Sequence, residues 1–331
     1  MKVLITGGLG FLGSHLADLL LSEGYQVIII DDKTSNTVDS ISKCDVYDFS
    51  IETFAEYPSR FSDVDIVFHL ASVVGPFGVL RHAGNMGYSI LRDTKIIRDF
   101  CVLRNIPMID ISTSEVYGHP GLLLEDSLKV IAGKYQIRNE YGGAKIVAEM
   151  SLVNFARLNQ DFKYQIIRPF NIAGPRQKPD GGFVLPRFVV SALTGQPITI
   201  FEDGMQERAF TDVRDVVSAI YLISQSKKSN NIWNVGNEKN RMTIRALAEM
   251  VRERASILVP EINFPEINFY DPKEIHGSLF AKAIDKIPQI DKLLANTAWK
   301  PQFTLKQTID DTILYYADKI NNQNYYFDVM R

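Results

Sequence analysis

Tyr141 and Lys145 close the run Tyr-Gly-Gly-Ala-Lys, and a spacing of four puts both on one face of a helix. An ammonium beside a phenol favours the phenolate and draws its pKa below the usual value of about 10. A positively charged cofactor ring nearby would draw it lower, giving a general base usable near neutral pH. A second reactive run, Ser112-Thr113-Ser114-Glu115-Val116-Tyr117-Gly118, follows the apolar stretch Met108–Ile111. Glu115 there reads either as a catalytic acid/base or as a structural carboxylate accepting backbone N–H groups. On spacing alone Tyr-x-x-x-Lys is a surface pair; its position downstream of a Ser/Thr-rich strand end gives it meaning.

These residues need a scaffold, and the start of the chain supplies its signature. The run Thr6-Gly7-Gly8-Leu9-Gly10-Phe11-Leu12-Gly13 follows the apolar Val3-Leu4-Ile5 and enters an amphipathic stretch to Leu21. Strand, glycine turn, helix is the context of a dinucleotide fingerprint. Gly7 permits the turn, Gly10 admits a pyrophosphate, and Gly13 lets helix and strand pack closely. Phe11 and Leu12 open a helix whose N–H groups face the phosphates. Val27-Ile28-Ile29-Ile30 then ends in Asp31, placed roughly 20 residues on, where a carboxylate grips the ribose hydroxyls. Asp31 and Asp32 together would set two negative charges against a 2′-phosphate, which favours NAD over NADP, and Asp32 by itself reads as a solvated turn residue.

Strand candidates Val3–Ile5, Tyr25–Ile30, Ile66–Leu70, Met108–Ser112 and Tyr164–Arg168 alternate with helical stretches, including Asp93–Arg104 and Tyr141–Leu158. Asp45-Val46 is expected at the end of a short third strand, near the adenine. This alternation predicts an α/β, Rossmann-type, doubly wound parallel sheet over residues 1–168. From Pro169 onward, Gly and Pro break the pattern into short segments: helix 187–193, strand 198–201, helix 213–224, strand 233–235, and helices 244–254 and 305–320. Residues 169–331 are therefore expected to form mainly a smaller lobe over the carboxyl ends of the strands, with part of the chain returning to the sheet.

The 331 residues are 46% hydrophobic and 23% charged, with a net charge of -3. That balance points to no nucleic-acid or membrane partner. No apolar run has spanning length, and the chain enters its first strand at once, so a cytoplasmic protein is expected. Cys44 and Cys101 make no disulfide framework, and the five histidines show no metal-ligand spacing. His69, in an apolar strand, reads as a packed residue.

With these motifs in place, the chain resembles the extended short-chain dehydrogenases/reductases, in the branch of nucleotide-sugar epimerases, dehydratases and decarboxylases. The resemblance spans nearly the whole chain. It rests on the glycine run, Asp31, Asp45-Val46, His69-Leu70-Ala71-Ser72, Thr113–Gly118 and Tyr141-x-x-x-Lys145. It continues through Arg168-Pro-Phe-Asn171, Gly174-Pro-Arg176, Gln206–Phe210 and Trp299-Lys-Pro301. The resemblance implies that Leu70, Ala71 and Ser72 run beneath the nicotinamide ribose and that Lys145 holds that ribose and tunes Tyr141, the base. Thr113, in the triplet Thr113-Ser114-Glu115, would share a hydrogen bond with the sugar 4-hydroxyl. Asn171 and Arg208 would hold the diphosphate, and Phe201 is either core or a platform for the base. Val74, within Val73–Gly78, would line the sugar pocket. A nucleotide-diphosphate sugar is the implied substrate and a homodimer the implied assembly.

In such a family Tyr141 would remove the 4-hydroxyl proton while NAD takes hydride from C4. The 4-ketone then opens three routes, all redox neutral: return of hydride to the other face (4-epimerisation), loss of water from C6 assisted by Glu115 (4,6-dehydration), or loss of CO2 when C6 is a carboxylate. The triplet with Glu115 favours 4,6-dehydration first and decarboxylation second, with 4-epimerisation the alternative. Arg138 matches an arginine of decarboxylases or is a solvated loop residue. The late Arg-x-Pro of decarboxylases reads Lys286-Ile287-Pro288 here, and lysine does not reproduce a bidentate fork. A non-catalytic dinucleotide sensor is the remote alternative, and the intact Tyr/Lys pair speaks against it.

Overall fold

The computed structural model describes residues 1–127, 137–262, 264–271 and 285–323. Seven parallel strands form the central sheet: β1 (Lys2–Thr6), β2 (Gln26–Ile30), β3 (Asp45–Tyr47), β4 (Ile66–His69), β5 (Met108–Ile111), β6 (Tyr164–Pro169) and β7 (Asn231–Val235). Their spatial order is 3-2-1-4-5-6-7. The order reverses between β1 and β4, and ligands of doubly wound sheets bind at that crevice. Strand β7 pairs with β6 at the outer edge of the sheet.

Strand periodicity divides the core. Val3, Ile5, Val27, Ile29, Phe68 and Ile167 point to one face, where Leu16 and Leu20 of helix Phe11–Ser22 meet Val216, Ile220 and Ile223 of helix Val213–Ser224. Leu4, Ile28, Ile30, Val67 and Ile166 point to the other, against Ile97 and Phe100 of helix Met86–Arg104 and Leu152 and Ala156 of helix Ile137–Leu158. Apolar residues at successive positions are thus consumed by two different faces, as buried parallel sheets require. A separate core joins helices Val184–Leu193, Ile244–Leu258 and Leu305–Gln323 with strand Ile198–Phe201.

Two helices begin earlier than their sequence pattern indicates, at Met86 rather than Asp93 and at Ile137 rather than Tyr141. The first is capped from outside: Glu140 accepts the N–H groups of Gly84 at 2.7 Å and Gly87 at 3.0 Å. A cap contributed by another helix leaves no local start signal. The third strand also corrects an expectation. Asp45 opens it and is exposed, Val46 is its middle residue, and Tyr47 ends it. The Tyr47 carbonyl accepts the N–H of Asp31 at 3.2 Å, so the acid level with Asp31 at the carboxyl edge is Asp48.

Candidate active site

The glycine turn lies at the reversal of strand order. Gly7 has φ 71°, and a Cβ there would sit 2.8 Å from the Ala71 nitrogen. A Cβ on Gly13 would lie 2.1 Å from the Gly7 carbonyl oxygen. Gly10 is the N-cap of the first helix, with no side-chain cap. A Cβ at Gly10 would touch only the Gly7 oxygen, at 3.2 Å, and the helix that begins at Phe11 and Leu12 presents its first N–H groups there. This is a cradle for an anion that side chains would fill.

Asp31 is buried at the end of β2. Its Oδ2 accepts Leu9 N–H at 2.9 Å and its Oδ1 accepts Lys33 N–H at 2.8 Å. A carboxylate offers about four acceptor positions, so capacity remains for a pair of ribose hydroxyls. Burial raises its pKa and the two N–H groups oppose that rise. Asp32 is exposed and accepts Thr34 N–H and Oγ1, the turn role expected of it. Leu70 N–H donates to Thr6 O at 3.1 Å and Ala71 N–H to Thr6 Oγ1 at 3.3 Å, which sets Leu70 and Ala71 beside Gly7, with Ser72 next in the chain. The described residues fit NAD. Gly13→Ala should therefore destabilise the fold by ~1–3 kcal/mol, because backbone atoms cannot yield to the new methyl. It should weaken NAD binding as well; urea unfolding and calorimetric titration check the two effects.

The reactive run leaves β5 as a short 3₁₀ turn, Ser114–Tyr117. Thr113 caps it by accepting Glu115 N–H at 3.2 Å, and Ser114 is buried beneath. The Thr113 side chain also lies close enough to the Tyr141 hydroxyl to act on its pKa. Gly142 lets the helix of Tyr141 close on this turn: a Cβ there would lie 3.0 Å from the Glu115 oxygen. No local pattern marks this glycine, because the backbone it faces belongs to a distant part of the chain. Tyr141 and Lys145 share the inner face of their helix, as their spacing predicts, and both are buried. The expected lowering of the phenol by Lys145 is not what the protein alone produces. Burial raises the Tyr141 pKa, and Thr113 opposes the rise. Lys145 Nζ instead donates to the Ile111 carbonyl at 2.9 Å, and burial pulls its own pKa down.

Glu115 is held between two cations. Arg138 clasps it with a fork, Nε to Oε2 at 2.8 Å and Nη2 to Oε1 at 3.0 Å. Lys286 Nζ reaches Oε1 at 2.5 Å. Burial pushes the Glu115 carboxyl up, but Lys286 and Arg138 outweigh it and hold the pKa at about 2. Arg138 is therefore not a solvated loop residue. Lys286 arrives because strand Lys286–Pro288 pairs in parallel with Gly121–Leu123, a long-range pairing of three-residue strands that no periodicity announces. Arg208 lies on the adjoining strand Glu207–Ala209 and bonds Asp285 Oδ1 at 3.0 Å. Asn171 adopts φ 35° and donates from Nδ2 to Ala209 O at 3.2 Å, next to Arg208. Phe201 carries the Arg187 guanidinium over its ring at 5.2 Å. Val74 is about half exposed on the crossing after β4. His69 is packed as expected, its Nδ1 2.8 Å from Thr6 Oγ1.

Comparison with known proteins agrees with this geometry. The model of the NAD dependent epimerase/dehydratase family matches residues 3–236. The UDP-N-acetyl-alpha-D-glucosaminuronate decarboxylase of Bacillus cytotoxicus is 29% identical over 97% of this chain and 99% of its own. The UDP-glucuronic acid decarboxylase 6 of Arabidopsis thaliana is 28% identical over 93% of this chain and 86% of its own. Among solved structures, the UDP-glucose 4-epimerase of Thermotoga maritima with UDP-glucose has a TM-score of 0.82 at 27% identity, covering 97% of this chain and 100% of that one. A seven-stranded sheet with its glycine cradle at the strand reversal, Tyr141 and Lys145 on one buried helix face, and a family match over most of the sequence converge: the chain belongs to the NAD-dependent epimerase/dehydratase family.

Proposed function

We propose that the chain is an NAD-dependent decarboxylase of a UDP-linked hexuronate. The observation that carries this reading is the convergence of Arg138 and Lys286 on one carboxylate, Glu115, beside Tyr141. Two cations that already hold a carboxylate there can hold that of a substrate. In this reading Tyr141 takes the proton of the sugar 4-hydroxyl while Thr113 bonds the same oxygen. The glycine turn, Asp31 and Lys145 would hold NAD, which would supply a reversible hydride acceptor for C4. The sugar is then a β-keto acid. Its C5–C6 bond breaks, the electron pair moves towards the C4 oxygen, CO2 leaves, and C5 collects a proton. Arg208 and Asn171 hold the diphosphate, and Phe201 with Arg187 borders the base.

4,6-Dehydration, which the sequence places first, needs a base at C5. A carboxylate whose pKa is held at about 2 is a weak base. Decarboxylation needs none, and the two decarboxylase relatives support the same choice. Mass spectrometry tests it: UDP-glucuronate, UDP-N-acetylglucosaminuronate, UDP-glucose and GDP-mannose are incubated with the protein in D2O. Loss of CO2 from a uronate is expected. Loss of water from a neutral hexose would make the protein a dehydratase, and a new isomer of unchanged mass a 4-epimerase.

Lys286 gives the reading a pH signature. Burial pulls its ammonium down to about 8, against Glu115. Its charge is present below that value and is lost as pH rises through it, so kcat/KM for the uronate should fall above pH 8. Lys286→Arg keeps its charge across that range and should remove the alkaline decline. Lys286→Met should raise KM about 10–100-fold, the loss of one charged hydrogen bond. A flat profile in the wild type, or an unchanged KM in Lys286→Met, would take Lys286 out of the site.

We also infer a homodimer. Helices Met86–Arg104 and Ile137–Leu158 pack together and leave Tyr88, Leu103, Val147 and Met150 exposed on their outer surfaces. A second copy covering those helices would bury these side chains. Light scattering at micromolar concentration should give twice the chain mass.

A further inference from the structure

Asp110 has no part in the chemistry above. It lies on β5, 1% exposed. Neither of its carboxylate oxygens meets a hydrogen-bond donor among the described residues. A buried carboxylate without donors is costly unless a charge stands against it.

The neighbouring elements present the candidates. From β4 comes His69, the strand partner of Asp110. Burial, then Lys145, pull the His69 ring down to about 3, so it is neutral. From helix Ile137–Leu158 come Glu149 and Lys145, and from helix Met86–Arg104 comes Asp93. Glu149 is committed to Arg168 and to Ser112. The remaining cation among these is Lys145, 3% exposed, whose Nζ donates to the carbonyl of Ile111, the residue after Asp110.

We propose that Asp110 is the counter-charge of Lys145, a positioning residue that keeps the buried ammonium charged at the carboxyl edge of the sheet. Burial is the largest influence on Lys145 and pulls its pKa down; Asp110 is the strongest opposing one, ahead of Glu149 and Asp93. Burial pushes the Asp110 carboxyl up to about 6, and Lys145 opposes that rise. The pair then carries one negative and one positive charge under the site. The consequence for NAD rests on Lys145 holding the ribose; the consequence for stability does not.

Asp110→Asn tests both, with Asp110→Ser as a second variant should the first fail to fold. In thermal unfolding, Lys145→Met strands the Asp110 carboxylate and should lower the melting temperature sharply. Adding Asp110→Asn should recover much of that loss, so the two changes do not add. NAD affinity by calorimetry from pH 6 to 10 gives the second readout. Losing the counter-charge lowers the Lys145 pKa, so the alkaline loss of affinity should move to lower pH. Additive melting shifts would overturn the counter-charge. Non-additive unfolding with superimposed NAD profiles would uphold it and overturn the ribose-holding role of Lys145.

Discussion

Tyr141→Phe should bind NAD as the wild type does and turn over ~10²–10⁴-fold more slowly, the range lost with a positioned general base. The substitution removes one oxygen from a buried ring that packs with Val79, Met86, Ile90 and Ala144. Phenylalanine fills the same space, so the fold should change little. Thr113 keeps its capping bond to Glu115 N–H. The loss therefore falls on chemistry. Its size depends on how the phenol is made basic. Within the protein, burial raises the Tyr141 pKa, and the nearby charges of Glu115 and Asp110 raise it further. Among the described residues Thr113 opposes them. The positive nicotinamide ring of bound NAD would have to supply the rest of the lowering. Activity should accordingly rise with pH on the acid side, because the base must be deprotonated. Stopped-flow absorbance of NADH on mixing with substrate reads the step directly. A variant within about threefold of the wild type would remove Tyr141 as the base.

Much of this site is legible in the sequence because its signals are local. The glycine turn, Asp31 at a strand end, and Tyr141 four residues before Lys145 each depend on neighbours along the chain, and each occupies its expected element. The doubly wound sheet is legible for the same reason, since strand and helix periods alternate. What is not legible comes from pairing across distance. Lys286 meets Glu115 only because two three-residue strands far apart in the chain lie side by side. Glu140 caps a helix other than its own. Asp45 matches a family motif, yet the register of β3 makes it the first residue of its strand. The field around Tyr141 is the deepest case: spacing identifies its neighbour, but only burial gives the direction in which its pKa moves.

Glu149→Gln should cost ~3–5 kcal/mol of stability, the penalty for leaving a buried cation with its partner removed. Arg168 and Glu149 are 0% and 2% exposed. Arg168 Nε and Nη2 donate to the two oxygens of Glu149 at 2.9 and 2.5 Å, and its Nη1 donates to Tyr117 Oη at 3.0 Å and Glu125 O at 2.9 Å. Tyr117 in turn donates to Asn234 Oδ1 at 2.6 Å. One cluster thus joins β6, β7, the 3₁₀ turn and the helix of Tyr141. It also reaches the chemistry, because Ser112 Oγ donates to Glu149 Oε1 at 2.5 Å and Ser112 precedes Thr113. A glutamine in place of Glu149 could answer only part of this network, since its amide nitrogen would face donors. Turnover should fall along with stability, because Thr113 would lose its fixed position against Tyr141. Replacing both charges, as Glu149→Leu with Arg168→Met, should cost less than the sum of the single changes, since neither charge is stranded. Urea unfolding of the wild type, the two single variants and the double variant measures the coupling. Additive losses would mean that the pair acts as two independent packing residues and that Ser112 is held by something else.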